Sequence, residues 1–356
     1  MTNTKLTRSY VGEDVYIGID VHKKTYAVVA RVNQTLVKKW TTVANPEALA
    51  RQVVNYFDGA RIHSAYEAGF SGFVLHRVLV EVGIDSRVVH AAAVEIAAYQ
   101  RVKTDKRDAD KLSKQLEAGR LRGIRIPSEA QEQRRLLSRT RAQLVHERAA
   151  VTQKIRMKAH QFGWIAPEDR REMSAQMVKE LLARSPSEAF GLTVTAHWRI
   201  WQALDQEIQR LERHLKHQAQ TDALDEVYRS APGVGAISAR VLANEFGDMS
   251  DFANERQLFS YSGLTPSEQS SGEHVHRGHI TKQGNRHLRG ILIEVAWRAL
   301  DQDATLQSYF ARLSPRMGAN RAIVAVARKL IGKIRAALRK GERYQLNYPN
   351  AGLAAA

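Results

Sequence analysis

Four acidic residues stand at positions from which a folded chain could bring them together. Asp20 ends the apolar run VYIGID, and Glu67 ends a second β-rich run, IHSAYE. Asp105 and Asp108 lie three residues apart at the start of a predicted helix, so both side chains share one helix face. Hard divalent cations bind a few carboxylates together with phosphate oxygens, and two such ions can stabilise both oxygens of a phosphoryl transfer. These residues therefore indicate a Mg²⁺ site that acts on phosphodiesters.

Each of these acids also has an ordinary explanation. An aspartate at a strand end commonly forms a turn, and acids in the first turn of a helix complement its dipole. The combination is what favours a site, because four gathered negative charges repel one another unless a cation or protons compensate them.

The loop from Ser262 to Gly290 could supply a nucleophile. The chain has no cysteine, so a nucleophile must be an oxygen or a nitrogen. Ser271 stands beside a glycine in this cationic loop, where positive charge would stabilise a developing alkoxide, although an ordinary loop hydroxyl is the simpler interpretation. Three histidines are clustered in this loop, and for them phosphate contacts are favoured over a metal site because no cysteine or fixed acid is near: His274, His276 and His279.

A glycine-containing turn lies between two predicted helices in the segment APGVGAISARVLANEFG, residues 231–247. Gly233 and Gly235 would let backbone N–H groups approach a phosphate closely, as in a helix-hairpin-helix that binds the DNA backbone. A tight interhelical turn without a ligand is the alternative.

The elements that would position the acids form an α/β pattern. Three β-rich stretches separated by short breaks run from Val15 to Val43 and predict an antiparallel start. A helix at about 46–57 follows, and then two strand candidates, ARIHSAYEAG and SRVVHA, with the helix FVLHRVLVEVG between them. The segment 104–119 begins with acids and ends in glycine, so it is predicted as a helix.

The middle of the chain, from Ser128 to about Gln220, is predicted to be helical. Apolar residues recur there at coiled-coil spacings: Trp201, Leu204, Ile208, Leu211 and Leu215, and more weakly Leu137, Leu144 and Val151. Two helices joined near residues 164–187 would form a hairpin. The pattern leaves open whether they pair within the chain or form a dimerisation arm.

Charge indicates a polyanionic partner. The 356 residues carry a net charge of +17 and are 44% apolar, which is typical of a folded basic protein of two or three domains. Residues 277–340 contain 14 Lys plus Arg and 3 acids, so the partner is expected mainly on this third unit. The lack of cysteine, of a signal-like start and of a long apolar run predicts a cytoplasmic protein without a membrane span.

Five motifs in order resemble the DEDD transposases of the insertion-sequence one-ten family over nearly the whole chain, from about Tyr16 to Arg339. The motifs are GIDVHK (18–23), YEAG (66–69), KTDKRDA (103–109), PGVG (232–235) and SGLTPSEQSSG (262–272). The resemblance implies a RuvC-like, ribonuclease-H-type α/β domain at 10–127 and a coiled-coil helical hairpin at 128–221. A mostly helical transposase domain with the helix-hairpin-helix-like element would follow at 222–342, with a tail at 343–356.

The resemblance also implies site residues and partners. Asp20, Glu67, Asp105 and Asp108 would bind Mg²⁺, as two ions, and Ser271 would form a covalent phosphoserine link to DNA, with adjacent Ser270 as the alternative nucleophile. Donor and target DNA, a guide (bridge) RNA and a homo-oligomer with composite sites are the implied partners. The residues expected to contact nucleic acid are Lys103, Gly233, Gly235, Arg277, Lys282, Arg286 and Arg289.

Two other functions stay open at this point. One is a RuvC-like nuclease that hydrolyses DNA junctions with water as the nucleophile. The other is a non-catalytic nucleic-acid-binding protein, for which charge and the PGVG turn would suffice. Acids at Asp105 and Asp108 among Lys103, Lys106 and Arg107 argue against the second, because carboxylates weaken a surface that only binds phosphate.

Overall fold

Two units make up the chain, at residues 1–126 and 127–356, in the computed structural model. The structure describes residues 9–94, 104–185, 187–268 and 277–346. The first unit is mixed α/β and the second is mostly helical, which confirms the predicted division of secondary structure.

The first unit contains a five-stranded sheet in the order β3-β2-β1-β4-β5. Strands β1 to β3 are antiparallel, and β4 and β5 continue the sheet parallel to β1. The predicted antiparallel start and the two later strands are therefore confirmed. The strands are β1 (Asp14–Val21), β2 (Thr25–Val32), β3 (Thr35–Val43), β4 (Arg61–Glu67) and β5 (Asp85–Val89).

Side-chain alternation gives β1 two different faces. Val15, Ile17 and Ile19 point to one face and are buried in a core with apolar residues of α1 (Pro46–Tyr56) and α2 (Val74–Glu81). The side chain of Asn45 caps α1 by accepting a hydrogen bond from the Ala48 N–H at 2.7 Å. A third helix covers the opposite face of β1.

That helix, α3 (Asp105–Glu117), packs directly on Gly18 of β1. A Cβ at Gly18 would lie 2.6 Å from the backbone nitrogen of Ser113 and closer still to the carbonyl oxygen of Ala109. Leu112 and Leu116 of α3 are buried in a core with residues of β4 and β5. Glycine at position 18 is therefore what allows α3 to approach the sheet so closely.

Two 33-residue helices, α4 (Glu129–Gln161) and α6 (Glu188–Gln220), pair in antiparallel fashion at the start of the second unit. Three polar contacts follow the pairing in reverse register: Arg141 with Glu212, Arg148 with Asp205, and Trp201 Nε1 donating to Thr152 Oγ1 at 3.0 Å. The predicted helices thus pair within the chain. A helix that was not predicted, α5 (Ala175–Arg184), lies in their connection.

The rest of the second unit is helical around a buried apolar core. Its helices are α7 (Ala223–Arg229), α8 (Ala236–Phe246), α9 (Glu255–Tyr261), α10 (Arg286–Ala299), α11 (Ala304–Met317) and α12 (Ala319–Lys340). The segment expected to be a loop also contains two short antiparallel strands, β6 (Pro266–Glu268) and β7 (Arg277–Ile280). They are too short to show a period of two in the sequence.

Candidate active site

Asp20 and Glu67 leave neighbouring strands at the same edge of the sheet. Ile19 of β1 pairs with Tyr66 of β4 in parallel register, so the next residue of each strand is one of the two acids. Gly18 faces α3, and by alternation Asp20 shares that face. Ala65, the register partner of Gly18, lies in the α3 core, so Glu67 shares the face as well.

Asp105 begins α3, and one histidine contacts both its carboxylate and that of Asp20. His22 Nε2 lies 3.1 Å from Asp20 Oδ2 and 3.2 Å from Asp105 Oδ2. One potential ligand atom from each of the three residues lies within 4.8 Å of the others. Among the described residues, the structure therefore brings Asp20, His22 and Asp105 together as a group able to hold a metal ion.

Asp108 and Glu67 stand beside this group without belonging to it. Asp108 lies one helical turn beyond Asp105, close enough for its charge to act on Asp20. Glu67 is on the adjacent strand and is half-buried. The four predicted acids thus lie at the same end of the same sheet face. Two of them, Asp20 and Asp105, both contact His22.

Sequence reasoning missed His22, although a signal for it was present. It stands two residues after Asp20 in the GIDVHK segment. In extended chain, residues two apart lie on one face, so a side chain able to bind metal at this position shares the side of Asp20.

The pKa of Asp20 is raised above its ordinary value of 3.8. Burial is the main cause, and the negative charges of Asp105 and Asp108 add to it, while His22 acts in the opposite direction. The site is therefore short of positive charge, and a cation placed among these carboxylates would relieve both the burial penalty and the repulsion.

This raised pKa predicts how divalent binding depends on pH. A proton competes with the cation for Asp20, so affinity for Mg²⁺ should fall as the pH is lowered, starting at a higher pH than for an exposed aspartate. Asp108→Asn removes one repelling charge, lowers the pKa of Asp20 and should move the acid midpoint to lower pH. Calorimetric titration with Mg²⁺ across pH, with each curve normalised to its own plateau, measures that midpoint. Asp58→Asn, at an exposed turn, is the control; equal midpoints for wild type and Asp108→Asn would contradict the prediction.

The donor atoms of the group fit a divalent cation. Carboxylate oxygens suit Mg²⁺, Ca²⁺ and Mn²⁺, and an imidazole nitrogen extends the set toward transition metals. The half-buried Asp20 carboxylate fixes one ligand, while the more exposed Asp105 leaves one side open to a substrate phosphate.

Several predicted residues lie outside the part of the chain that the structure describes. Ser270 and Ser271 are among them, as are Lys103, His274 and His276. Arg277 begins β7, but its side chain is also outside the description.

The predicted basic contacts that are described follow β7. Lys282 and Arg286 are exposed, and Arg289 donates from Nη1 to the carbonyl oxygen of Lys282 at 3.0 Å. His279 is exposed, and its carbonyl oxygen accepts a hydrogen bond from Ser267 Oγ at 3.0 Å. The exposed cations remain available to a polyanion.

The two glycines of the PGVG turn differ, and the expectation for Gly233 needs correction. Gly233 is buried with φ +74°, and its N–H donates to Gln302 Oε1 at 2.8 Å. A Cβ there would lie 2.5 Å from the carbonyl oxygen of Val295 on α10. Gly233 therefore serves close packing of the turn on α10, and its N–H does not face a phosphate. Gly235 is exposed at the N-terminus of α8, and its contact with a phosphate stays a prediction.

A buried charged residue holds the chain in place where the serine-containing loop leads into α10. Glu245 of α8 is fully buried and pairs with Arg139 of α4 at 2.7 Å and with Arg135 at 3.3 Å. Asn285, which caps α10, donates from Nδ2 to Glu245 at 2.7 Å. Burial alone would raise the pKa of Glu245, but hydrogen bonding to Arg139 and the nearby positive charges outweigh it and lower the pKa. The glutamate is thus held ionised and links three helices.

No helix in the described ranges is long and apolar enough to cross a bilayer.

Comparison with known families gives two matches that together cover most of the chain. A DEDD transposase model of the IS110 type matches residues 17–162, and a model described as transposase IS116/IS110/IS902 family matches residues 225–311. The first range includes all four acids and His22, and the second includes the PGVG turn and both serines.

Individual relatives agree with the family models. The "Putative transposase y4qE" of Sinorhizobium fredii is 30% identical over 291 residues, covering 80% of this chain and 71% of that protein. The "Probable family 20 transposase" of Pseudomonas aeruginosa is 31% identical over 65% of this chain and 69% of the relative. The transposase for insertion sequence element IS1111A of Coxiella burnetii is 28% identical over 76% of each chain.

Proposed function

Because this chain belongs to the IS116/IS110/IS902 family of transposases and is therefore an enzyme that acts on DNA, we propose that it cuts and rejoins donor and target DNA. The proposed reaction uses a Mg²⁺-dependent acidic site and a covalent phosphoserine intermediate. One observation supports it above the others: the carboxylates of Asp20 and Asp105 lie within hydrogen-bond reach of the same His22 nitrogen.

The acids act as metal ligands in this proposal. Asp20 and Asp105 would hold one ion, with His22 beside them, and Asp108 and Glu67 would complete the coordination of a pair. When bound, Mg²⁺ supplies positive charge to the phosphate oxygens of the DNA strand. Asp20 and Glu67, at the ends of paired strands, orient the phosphate relative to the sheet edge.

Ser271 attacks the phosphorus in the proposed step, with Ser270 as the alternative. A bond forms between the serine oxygen and phosphorus, the bond to one deoxyribose oxygen breaks, and that oxygen leaves with a proton. The DNA end is then linked to the protein, and the reverse attack by another deoxyribose hydroxyl releases the serine and joins the strands. A serine hydroxyl is a weak nucleophile at neutral pH, so neighbouring cations and a base must activate it.

The first unit is proposed to be a RuvC-like, ribonuclease-H-type domain at 10–127. Three antiparallel strands continued by two parallel ones, with helices on both faces and acids at the carboxyl ends of β1 and β4, support this assignment. A coiled-coil hairpin at 128–221, a transposase domain at 222–342 and a tail at 343–356 complete the proposed organisation.

Nucleic-acid binding is assigned in the proposal to the basic residues of the second unit together with Lys103. Donor and target DNA, a guide RNA and a second copy of the chain are the proposed partners, in a dimer or tetramer in which the acids of one copy act with the serine of another. Association with the nucleoid follows from DNA binding. The contacts are assigned to Lys103, Gly235, Arg277, Lys282, Arg286 and Arg289.

A covalent intermediate gives this proposal its direct test. Purified protein with end-labelled element DNA, its natural flanks and element-derived RNA should give, in Mg²⁺, a labelled band that migrates with the protein on a denaturing gel. Ser270→Ala with Ser271→Ala should remove the band, because no hydroxyl remains at either position, while DNA binding is retained. Ser314→Ala, at a half-buried serine of α11, is the matched control.

The same gel separates the competing functions. Cut DNA without attached protein, unchanged in the double variant, would mean that water is the nucleophile and that the chain hydrolyses DNA as a RuvC-like nuclease does. Binding without cutting under any ionic condition would contradict both catalytic proposals.

A further inference from the structure

Phe70 is an exposed aromatic residue next to the acidic site. Its exposed fraction, 72%, is the highest among the large hydrophobic side chains of the described residues. We propose that Phe70 is a stacking platform for an unpaired DNA base beside the phosphate that the acidic site holds. This inference rests on the proposed function and adds a base-binding residue to it.

The position of Phe70 is fixed by the strand that carries Glu67. Only two residues separate them, so Phe70 lies just past the carboxyl end of β4. Asp20 leaves β1 at this same end, because β1 and β4 are parallel neighbours. A base on Phe70 would therefore belong to a nucleotide close to the phosphate at the acids.

The loop that carries Phe70 is anchored on both sides. The fully buried Tyr66 donates from its hydroxyl to the carbonyl oxygen of Gly72 at 3.3 Å and accepts from the N–H of His76 at 3.2 Å. The N–H of Ala68 donates to the carbonyl oxygen of Val89 at 2.8 Å. Because the backbone is held before and after it, binding at Phe70 would cost little additional backbone entropy.

A second phenylalanine in the same loop is packed, so the high exposure is particular to Phe70. Phe73 packs against the apolar core of the first unit, whereas Phe70 lies in the same loop without doing so. An aromatic ring left in water forgoes a substantial burial free energy. A ring that is carried by an anchored loop and kept out of the core is suited to a binding partner.

The exposed lysines at this end of the sheet favour a nucleic acid as that partner. Lys23 and Lys24 are exposed in the turn that follows Asp20, and Lys106 is exposed at the start of α3. An exposed aromatic ring at the same end of a domain as exposed cations is a combination with which proteins bind single-stranded DNA, the cations following the phosphates and the ring stacking on a base. A base within a paired duplex has both faces covered, so the ring would accept a base that has left the stack.

Binding measurements with the full chain can test the stacking. The probes are a fully paired duplex and a matched fork with 2-aminopurine as the unpaired base, with Ca²⁺ in place of Mg²⁺ and the DNA checked to be uncut. Stacking of one base predicts that Phe70→Ala binds the fork about tenfold more weakly than wild type, with the duplex affinity and the salt dependence unchanged. Quenching of the 2-aminopurine fluorescence on binding should be lost in the same variant.

Two further variants complete the test. Phe70→Trp should retain the affinity for the fork and the quenching, since it keeps an aromatic face. Val80→Ala truncates another exposed apolar side chain, near the end of α2, and should behave as wild type. Equal fork affinity for wild type and Phe70→Ala would overturn the inference. So would an equal loss for fork and duplex, which would show that the ring does not recognise an unpaired base, or a changed oligomeric state, which would show that the ring contacts protein.

The outcome does not depend on whether the proposed reaction occurs. If wild type forms no covalent adduct but Phe70→Ala loses fork binding, the serine chemistry fails and the stacking holds. If the adduct forms normally and Phe70→Ala binds the fork as wild type does, the stacking alone fails.

Discussion

Asp20→Asn is expected to abolish DNA cleavage, with a residual rate at least about 10³-fold below that of wild type. The substitution keeps the size of the side chain but removes the negative charge that a divalent cation needs. It also replaces an oxygen within 3.1 Å of His22, next to Asp105. A loss of this size corresponds to about 4 kcal/mol of transition-state stabilisation. Single-turnover cleavage of labelled element DNA in Mg²⁺ measures it.

DNA binding should survive the same substitution, because the proposed phosphate contacts are made by basic residues and not by Asp20. Asp58→Asn, an identical change at an exposed turn, is the control and should cleave normally. Cleavage by Asp20→Asn within tenfold of wild type would mean that the reaction does not depend on this carboxylate. A matching loss of binding and thermal stability would instead show a folding defect.

Gly18→Ala is expected to destroy the acidic site without touching any acid. The new Cβ would lie 2.6 Å from the Ser113 nitrogen and still closer to the Ala109 carbonyl, both backbone atoms of α3. Because backbone cannot rotate away, α3 must leave the sheet or the sheet must bend. Overpacking of this kind costs about 3 kcal/mol, or more where the backbone cannot adjust. Asp105 would move with the helix, so Mg²⁺ affinity and cleavage should be lost together.

Gly123→Ala is the matched control for this substitution. A Cβ at Gly123 meets its nearest atom at 3.8 Å, an ordinary contact in the same unit. Thermal unfolding followed by circular dichroism should show a lowered transition for Gly18→Ala and an unchanged one for Gly123→Ala. An unchanged transition and normal cleavage for Gly18→Ala would contradict the close packing of α3 on β1.

The sequence predicted the first sheet well because its strands carry strong local signals. The strands β1 and β2 are rich in β-branched residues and are divided by short polar turns, and α3 has acids at its start and glycine after its end. The short strands β6 and β7 lacked such signals, since three or four residues cannot show a period of two. The helix α5 was missed because it lies in the connection between two longer helices.

The site was predicted in its residue types but not in its geometry. Strand ends and helix starts identified Asp20 and Asp105, yet only the fold shows that His22 lies between them. The glycines of the PGVG turn looked equivalent in the sequence. Packing distinguishes them, because Gly233 is turned onto α10 and Gly235 faces outward. Tertiary contacts of this kind have no signal in local spacing.

The position of β1 and β4 within the sheet gives the acidic site two halves of unequal rigidity. Both strands are hydrogen-bonded on either side, so the backbone beneath Asp20 and Glu67 should exchange its amide hydrogens slowly. Asp105 stands instead in the opening turn of α3, where Thr104 makes no side-chain capping bond. That turn can fray at small energetic cost. One half of the site is thus held by the centre of a sheet, and the other depends on the first turn of a helix.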